Sequence, residues 1–86
     1  MNYTKTTIKK FEVGIDKNKQ YGYFEHEYYG EELGGGLWFE NDELVDFDGC
    51  YFLPIEVAKA IKKLGFKVNL NDFCDVEKWY KNKGET

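Results

Sequence analysis

The alternation of apolar and polar residues in the first half of the chain is the feature that most constrains its fold. Phe11, Val13 and Ile15 share one parity, and this period of two predicts a strand over about residues 6–15 with its core face on the odd positions. Residues 21–29 are dense in Tyr and Phe, which favour strands, and they predict a second strand after a polar turn. The pattern indicates a sheet that lays one face against a core.

Glycines punctuate the segment that follows. Gly30 and the three glycines at 34–36 predict a loop over residues 30–36, where either chain flexibility or the close approach of two backbones would explain the glycines. The next strand is then expected at residues 37–40, and a hairpin should join it to another strand over residues 44–53. Four strands are therefore expected in this part of the chain.

The side chains of this hairpin decide its expected register. A three-residue loop pairs Phe39 with Val45 and Leu37 with Phe47 and separates apolar from charged side chains, whereas a two-residue turn would mix them. We therefore expect the longer loop. The opposite face then becomes an acidic surface with apolar groups in it: Trp38, Glu40, Leu44, Asp46 and Asp48.

The segment between Pro54 and Gly65 has the spacing of a surface helix. Proline suits the first helical position, where its missing N–H costs nothing, and glycine suits the C-terminal stop. The lysines of this segment would face water and favour the negative end of the helix dipole. The expected apolar stripe consists of Val57, Ala58, Ile61 and Leu64.

The last part of the chain predicts one further strand and one further helix. Phe66, Val68 and Leu70 alternate as a short strand, and Asn71 or Asp72 can cap the helix. The residues expected to pack inward from this helix are Phe73, Val76 and Trp79 or Tyr80.

Together these elements predict an α+β fold in a single domain over residues 1–86. The expected order is ββββα followed by a short strand and a helix, and a chain of 86 residues is too short for a second domain. The economical packing is a twisted antiparallel sheet of about four strands with the helix after Pro54 on one face. The main core is expected to consist of Phe11, Val13, Phe39, Val45, Phe47, Val57, Ile61 and Leu64.

Acidic and basic residues are segregated along the sequence. Sixteen Asp and Glu residues stand against twelve basic residues, all of them Lys, for a net charge of −4. Residues 21–58 contain ten carboxylates and no Lys. Because Arg, the usual bidentate reader of phosphate and guanine, is absent and the charge is acidic, direct nucleic-acid binding is disfavoured. The sequence also lacks an apolar run long enough for a membrane span and any export signal, so we expect a cytoplasmic protein.

The candidate catalytic and metal-binding motifs fail on their spacing. Residues 46–49 look like the middle of a calcium loop, but Leu44 and Ile55 stand where carboxylate ligands are needed. The glycine run has no following Lys-Ser or Lys-Thr and precedes no helix, so it is no phosphate loop. The residues that could ligate a metal or act as nucleophiles have no CxxC or HxxxH spacing: His26, Cys50 and Cys74. We therefore expect no catalytic residue, metal or cofactor, and a protein that is not an enzyme.

The acidic, aromatic segments are the remaining candidates for a function. Tyr and Trp anchor protein interfaces at low entropic cost, and carboxylates complement a basic groove such as those that hold nucleic acid. An ordinary solvated sheet face is the alternative, because charge runs commonly serve solubility. The candidate partner-binding residues are Glu25, Glu27, Tyr29, Glu31, Glu32, Trp38, Glu40, Asp42, Glu43, Asp46 and Asp48.

In size, acidity and lack of catalytic motifs the sequence resembles the small proteins with which phages and mobile elements inhibit host defence, notably anti-CRISPR and DNA-mimicking anti-restriction proteins. The resemblance is one of size and composition and assigns no residue roles. It implies an inhibitor that blocks a basic, nucleic-acid-binding groove of a protein complex, in the host bacterial cytoplasm for a phage-encoded chain. The alternative function is a structural or accessory domain that pairs with a copy of itself, as a homodimer, or docks on another subunit.

Overall fold

A computed structural model, which describes residues 2–48, 53–68 and 73–74, shows an α+β fold in which one helix packs against a curled sheet. The elements are β1 (Thr4–Ile8), β2 (Phe11–Asp16), β3 (Tyr21–His26), β4 (Gly30–Glu40), β5 (Glu43–Phe47), β6 (Leu53–Pro54), α1 (Ile55–Lys63), β7 (Lys67–Val68) and β8 (Phe73–Cys74).

The sheet has six strands in the order β1-β2-β3-β4-β5-β7. Strands β1 to β5 form an antiparallel meander, whereas the short β7 lies parallel to β5. Helix α1 contacts β1 and β2 at one edge and β7 at the other, so the sheet curls towards the helix from both sides. The predicted α+β class is confirmed, but the sheet is mixed and larger than the four antiparallel strands expected.

The strand predicted over residues 6–15 is a hairpin of two strands. Lys9 and Lys10 form its two-residue turn, both with positive φ (46° and 72°), and β1 pairs with β2 on either side. Asn and Gly are the residues that usually signal such a turn, and neither is present here. The expected inward parity of Phe11 and Val13 is confirmed in β2, since both side chains are fully buried.

The predicted loop over residues 30–36 is wrong, because β4 runs without interruption from Gly30 to Glu40. Its glycines allow backbones to approach closely, which was one of the two explanations that the sequence left open. A Cβ on Gly34 would lie 2.7 Å from the Phe24 carbonyl oxygen, and one on Gly35 would overlap the Asp48 carbonyl. Glycine is normally unfavourable in a strand, but here the backbones pack so closely that no other residue would fit.

The β4–β5 hairpin combines parts of both registers considered from the sequence. Its turn has two residues, Asn41 and Asp42, with φ of 52° and 63°, so the expected three-residue loop is wrong. Phe39 pairs with Leu44, and the register then shifts within β5 so that Leu37 pairs with Phe47 as expected.

The bulge in β5 changes which side chains reach the core. Leu44 is buried at 2% exposure, although it was predicted on the acidic face. Val45, predicted in the core, is 47% exposed. One extra residue in the strand thus keeps the apolar faces of β4 and β5 together on both sides of the shift.

Helix α1 confirms the segment predicted between Pro54 and Gly65. Pro54 precedes the helix with extended dihedral angles (φ −59°, ψ 141°) and is not its first residue. At the other end Gly65 has a φ of 95°, its N–H donates to the Lys62 carbonyl at 3.0 Å, and the Phe66 N–H donates to the Ile61 carbonyl at 3.2 Å. Glycine provides this left-handed stop without strain.

The core lies between α1 and the inner face of the sheet. Of the expected core residues, Phe11, Val13, Phe39, Val57 and Ile61 are buried, whereas Phe47 and Leu64 are only partly buried. Buried residues that the expected core omitted are Ile15, Phe24, Leu33, Leu37, Leu44, Leu53, Ala58, Ala60 and Phe66.

The C-terminal predictions are tested only in part. Phe73 and Cys74 form β8, parallel to Leu53 and Pro54 of β6, so the last helix does not include them as expected. The remainder of that helix, residues 75–86, lies outside the described residues, as do residues 49–52 of the strand expected over 44–53.

Candidate partner-binding surface

The side chains of β2 to β5 that point away from α1 form what we call the outer face. Its centre is a row across three strands, in which Tyr21 of β3 lies opposite Trp38 of β4 and Trp38 lies opposite Asp46 of β5. Residues directly opposite in a sheet share a face, with Cβ atoms about 4.5 to 5.5 Å apart. Glu40 follows Trp38 by two residues on β4 and therefore lies on the same face.

The indole of Trp38 packs across a glycine on this face. A Cβ on Gly36 would lie 2.9 Å from Cη2 of Trp38 and 3.3 Å from the Tyr21 hydroxyl, so the indole extends along β4 over the space that a side chain would fill. The rings of Tyr21 and Trp38 are 5.6 Å apart between centroids and tilted by 53°. Trp38 nevertheless remains 38% exposed. The far end of the indole thus lies over Gly36 while part of the residue meets solvent.

A second aromatic group on the outer face is arranged in the same way. Tyr23 lies across Gly14, where a Cβ would be 2.9 Å from its Cζ, and Tyr3 packs edge-on at 5.0 Å between ring centroids. The Tyr23 hydroxyl donates to Oε2 of Glu12 at 2.6 Å. Burial, first of all, and this hydrogen bond to a carboxylate raise the pKa of Tyr23 well above its ordinary value of 10. The tyrosine is therefore a neutral, fixed part of the face.

Three carboxylates of the outer face are exposed and have no ion-pair partner among the described residues. Glu25, Glu40 and Asp46 are all exposed, and none of them makes an ion pair within the part of the chain that the structure describes. Oδ1 of Asp46 accepts the N–H of Phe47 at 2.9 Å, which restricts the orientation of this carboxylate. The predicted gathering of Glu40, Asp46 and Trp38 on one sheet face agrees with the strand register.

Two of the predicted binding carboxylates are engaged within the fold. Oδ1 of Asp42 accepts the side-chain N–H of Gln20 at 2.8 Å, and its Oδ2 lies 3.5 Å from Nζ of Lys17. Oδ1 of Asp48 accepts the N–H of Gly36 at 2.6 Å, and so extends the β4–β5 ladder where β5 has ended. Both groups are structural acceptors, which reduces what they can offer a partner.

The remaining predicted residues lie apart from the Trp38 row. Glu27 and Tyr29 belong to the turn between β3 and β4, so Glu25 and Glu27 do not share a strand face as expected. Glu31 and the exposed Glu32 begin β4 beside this turn, and Glu43 lies opposite Lys67 of β7. The predicted set is therefore spread over both ends of the sheet and does not form one patch.

The turn after β3 contains a further exposed aromatic residue that the predicted set omitted. Tyr28 is 69% exposed, and its hydroxyl accepts a hydrogen bond from Nζ of Lys10 at 2.6 Å. The same ammonium lies 4.0 Å from the centroid of the Tyr28 ring. The hairpin turns at Lys10 and Tyr28 are also joined by the Glu27 N–H, which donates to the Lys10 carbonyl at 2.8 Å.

Three buried polar side chains escaped sequence reasoning: Asp16, His26 and Glu56. His26 is 3% exposed, packs edge-on against Phe11 at 4.9 Å and accepts the Tyr28 N–H at Nδ1 over 3.1 Å. Burial and the nearby Lys10 ammonium lower the pKa of His26, against smaller opposite effects of Glu27 and Glu56. Glu56 of α1 is 7% exposed, and its Oε2 has no hydrogen-bond partner within the part of the chain that the structure describes. Strand parity placed His26 with Phe24, but no local signal marked it or Glu56 as buried.

Metal centres and membrane spans each have structural requirements with which the described residues can be compared. Within them, no group of three or more His, Cys, Asp or Glu side chains is arranged to bind a metal ion. No helix among these residues has the length and apolar character needed to cross a membrane. Comparisons with protein-family models, curated proteins and solved structures find no match to this chain.

Proposed function

We propose that this chain is a binding protein that presses its outer face against a basic surface of another protein. The observation that carries the proposal is the row of Tyr21, Trp38 and Asp46, in which exposed aromatic surface lies beside unpaired carboxylate on three adjacent strands. Interfaces are rich in Tyr and Trp near their centre, and complementary charge speeds and orients association. Strands hold these groups in a fixed array, which lowers the entropic cost of binding.

The sign of the charge identifies the partner class. Glu25, Glu40 and Asp46 would repel phosphate groups, so a nucleic acid is a poor occupant of this face. A protein surface rich in Lys or Arg is favoured, and in cells such surfaces are typical of grooves that hold nucleic acid. Inhibition of a nucleic-acid-handling complex, such as a host-defence complex blocked in the manner of an anti-CRISPR protein, is the function that follows from this match.

Charge reversal at the Trp38 row tests the proposal. We expect Glu40→Lys with Asp46→Lys to reduce partner retention more than about tenfold, because two attractive contacts become repulsive. The matched control, Glu27→Lys with Glu32→Lys, changes the net charge equally but replaces two exposed carboxylates at the other end of the sheet. The measurement is quantitative mass spectrometry of proteins retained from a bacterial lysate by the immobilised chain, with thermal unfolding as the check on folding.

A second control uses the opposite side of the molecule. Lys59, Lys62 and Lys63 are exposed on α1, and their replacement by Glu should leave retention unchanged. The proposal is wrong if replacement of these lysines abolishes partner retention while the variant with Glu40→Lys and Asp46→Lys keeps it. Equal losses in both carboxylate variants would show that net charge alone, and not this face, attracts the partner.

The alternative function, self-association or docking on another subunit, draws on one observation. Among the described residues strand β1 is an edge of the six-stranded sheet, and this edge could add a strand from another chain. Such an interface depends on backbone hydrogen bonds and would persist as ionic strength rises, whereas a charge-steered complex weakens. Sedimentation equilibrium between about 50 mM and 500 mM salt separates the two functions.

A further inference from the structure

We infer that Trp38, together with Tyr21 and Asp46, forms a receptor for an arginine side chain of the partner. This inference rests on the proposed function and names the group that the outer face would recognise. It requires an exposed aromatic surface, a carboxylate beside it that is free to accept hydrogen bonds, and a rigid arrangement of the two.

The exposed aromatic surface is provided by the indole of Trp38. Its packing over Gly36 and its contact with Tyr21 fix the ring, while 38% of the residue stays exposed to solvent. A cation over the face of an aromatic ring is attracted by the ring quadrupole, and Trp is the best of the aromatic residues for this.

The carboxylate is that of Asp46, directly opposite Trp38 on β5. Among the described residues only its Oδ1 is engaged, by the Phe47 N–H at 2.9 Å, which leaves Oδ2 and a second lone pair of Oδ1 for a ligand. Glu40 lies two residues from Trp38 on the same face and adds a second negative charge. A cation at the exposed part of the indole would therefore have Asp46 on the neighbouring strand and Glu40 on the same strand to attract it.

Arginine fits this arrangement better than the other candidates. Its planar guanidinium can stack on an indole and at the same time direct a fork of N–H donors at a carboxylate, whereas the ammonium of lysine is a compact, strongly hydrated charge. A nucleobase could stack on Trp38, but its phosphates would approach Glu40 and Asp46 and be repelled. The site therefore selects for shape as well as for charge.

The test is a binding measurement with two peptides of equal charge. Fluorescein-labelled hexaarginine and hexalysine, each with blocked ends, are titrated with the full chain at about 50 mM salt and followed by anisotropy. We expect hexaarginine to bind about threefold or more tightly than hexalysine, and Trp38→Leu and Asp46→Asn each to weaken it about two- to fivefold. Trp38→Phe, which keeps an aromatic ring, should recover part of the loss.

Glu27→Gln is the matched control, since it removes one exposed negative charge at the other end of the sheet and should leave the affinity unchanged. Thermal unfolding of each variant shows that it is folded. Equal affinity for the two peptides, no effect of Trp38→Leu, or an equal effect of Glu27→Gln and Asp46→Asn would overturn the arginine receptor. If one of these results is found and the variant with Glu40→Lys and Asp46→Lys still loses the partner, the proposed function stands without the arginine receptor. A partner retained by that reversal variant contradicts the function itself.

Discussion

The two faces of the sheet contain rings of similar size that are held by different forces. On the inner face Phe11 and Phe24 are at most 1% exposed. Burial of such a side chain stabilises the folded state by about 1.5 to 3 kcal/mol. On the outer face Tyr23 and Trp38 lie across glycines and keep part of their surface in water. The comparison indicates that the inner face determines stability, whereas the outer face is available for recognition.

The largest expected effect is on stability, at the inner face. Phe24→Ala should lower the free energy of unfolding by about 3 to 5 kcal/mol, because it leaves a cavity between Val13 and Gly35, the residues opposite it. Tyr21→Ala, on the outer face of the same strand, should cost about 1 kcal/mol or less. Urea unfolding measures both. Similar losses for the two variants would mean that the outer rings also determine stability.

A neighbouring pair of glycines sharpens the same comparison at smaller magnitude. Gly35→Ala should destabilise by about 2 to 3 kcal/mol, because its Cβ would overlap the backbone carbonyl of Asp48 and the strands would have to separate. The Cβ of Gly36→Ala meets two side-chain ends, the Trp38 ring at 2.9 Å and the Tyr21 hydroxyl at 3.3 Å, so we expect about 1 kcal/mol or less and a more exposed indole. Urea unfolding measures the first effect and acrylamide quenching of tryptophan fluorescence the second; the reverse order of stabilities would contradict the geometry.

The smallest effect concerns pH and His26. Its pKa in the folded chain lies below the ordinary value of 6.5, so the unfolded chain takes up a proton first as pH falls. Stability from the neutral imidazole is therefore fully present above about pH 6.5 and declines as pH falls from there through the folded-state pKa. Besides burial, three charged groups act on the pKa of His26: Lys10 lowers it, and Glu27 and Glu56 raise it.

Replacement of the imidazole isolates its contribution from that of the carboxylates. His26→Gln should be less stable at pH 7.5 but should show a flatter dependence of the urea midpoint between pH 7.5 and about 5.5. Identical slopes for the two proteins would show that His26 titrates normally.

Local patterns predicted the elements whose signals lie within a few residues. The helix between Pro54 and Gly65 and the inward parity of Phe11 and Val13 follow from spacing, which a single segment contains. The gathering of Trp38, Glu40 and Asp46 on one face was also predictable, because alternation assigns the faces once the hairpin is recognised.

Other features depended on contacts that no segment contains by itself. The turn at Lys9 and Lys10 lacks the residues that usually mark one, and the bulge beside Val45 appears only when β4 and β5 are aligned against the core. The roles of Asp42 and Asp48 as structural acceptors likewise depend on groups of other strands and turns.

The α+β class, the helix and the inward side of β2 were thus readable from the sequence, because hydrophobic period is a local property. Three features emerged with the folded chain: β4 continues through its glycines, Leu44 and not Val45 enters the core, and His26 and Glu56 are buried. They depend on register and burial, which are set by non-local packing. A strand contains glycine where the neighbouring backbones leave no room for a side chain, and a bulge where the extra residue keeps the apolar faces of two strands together.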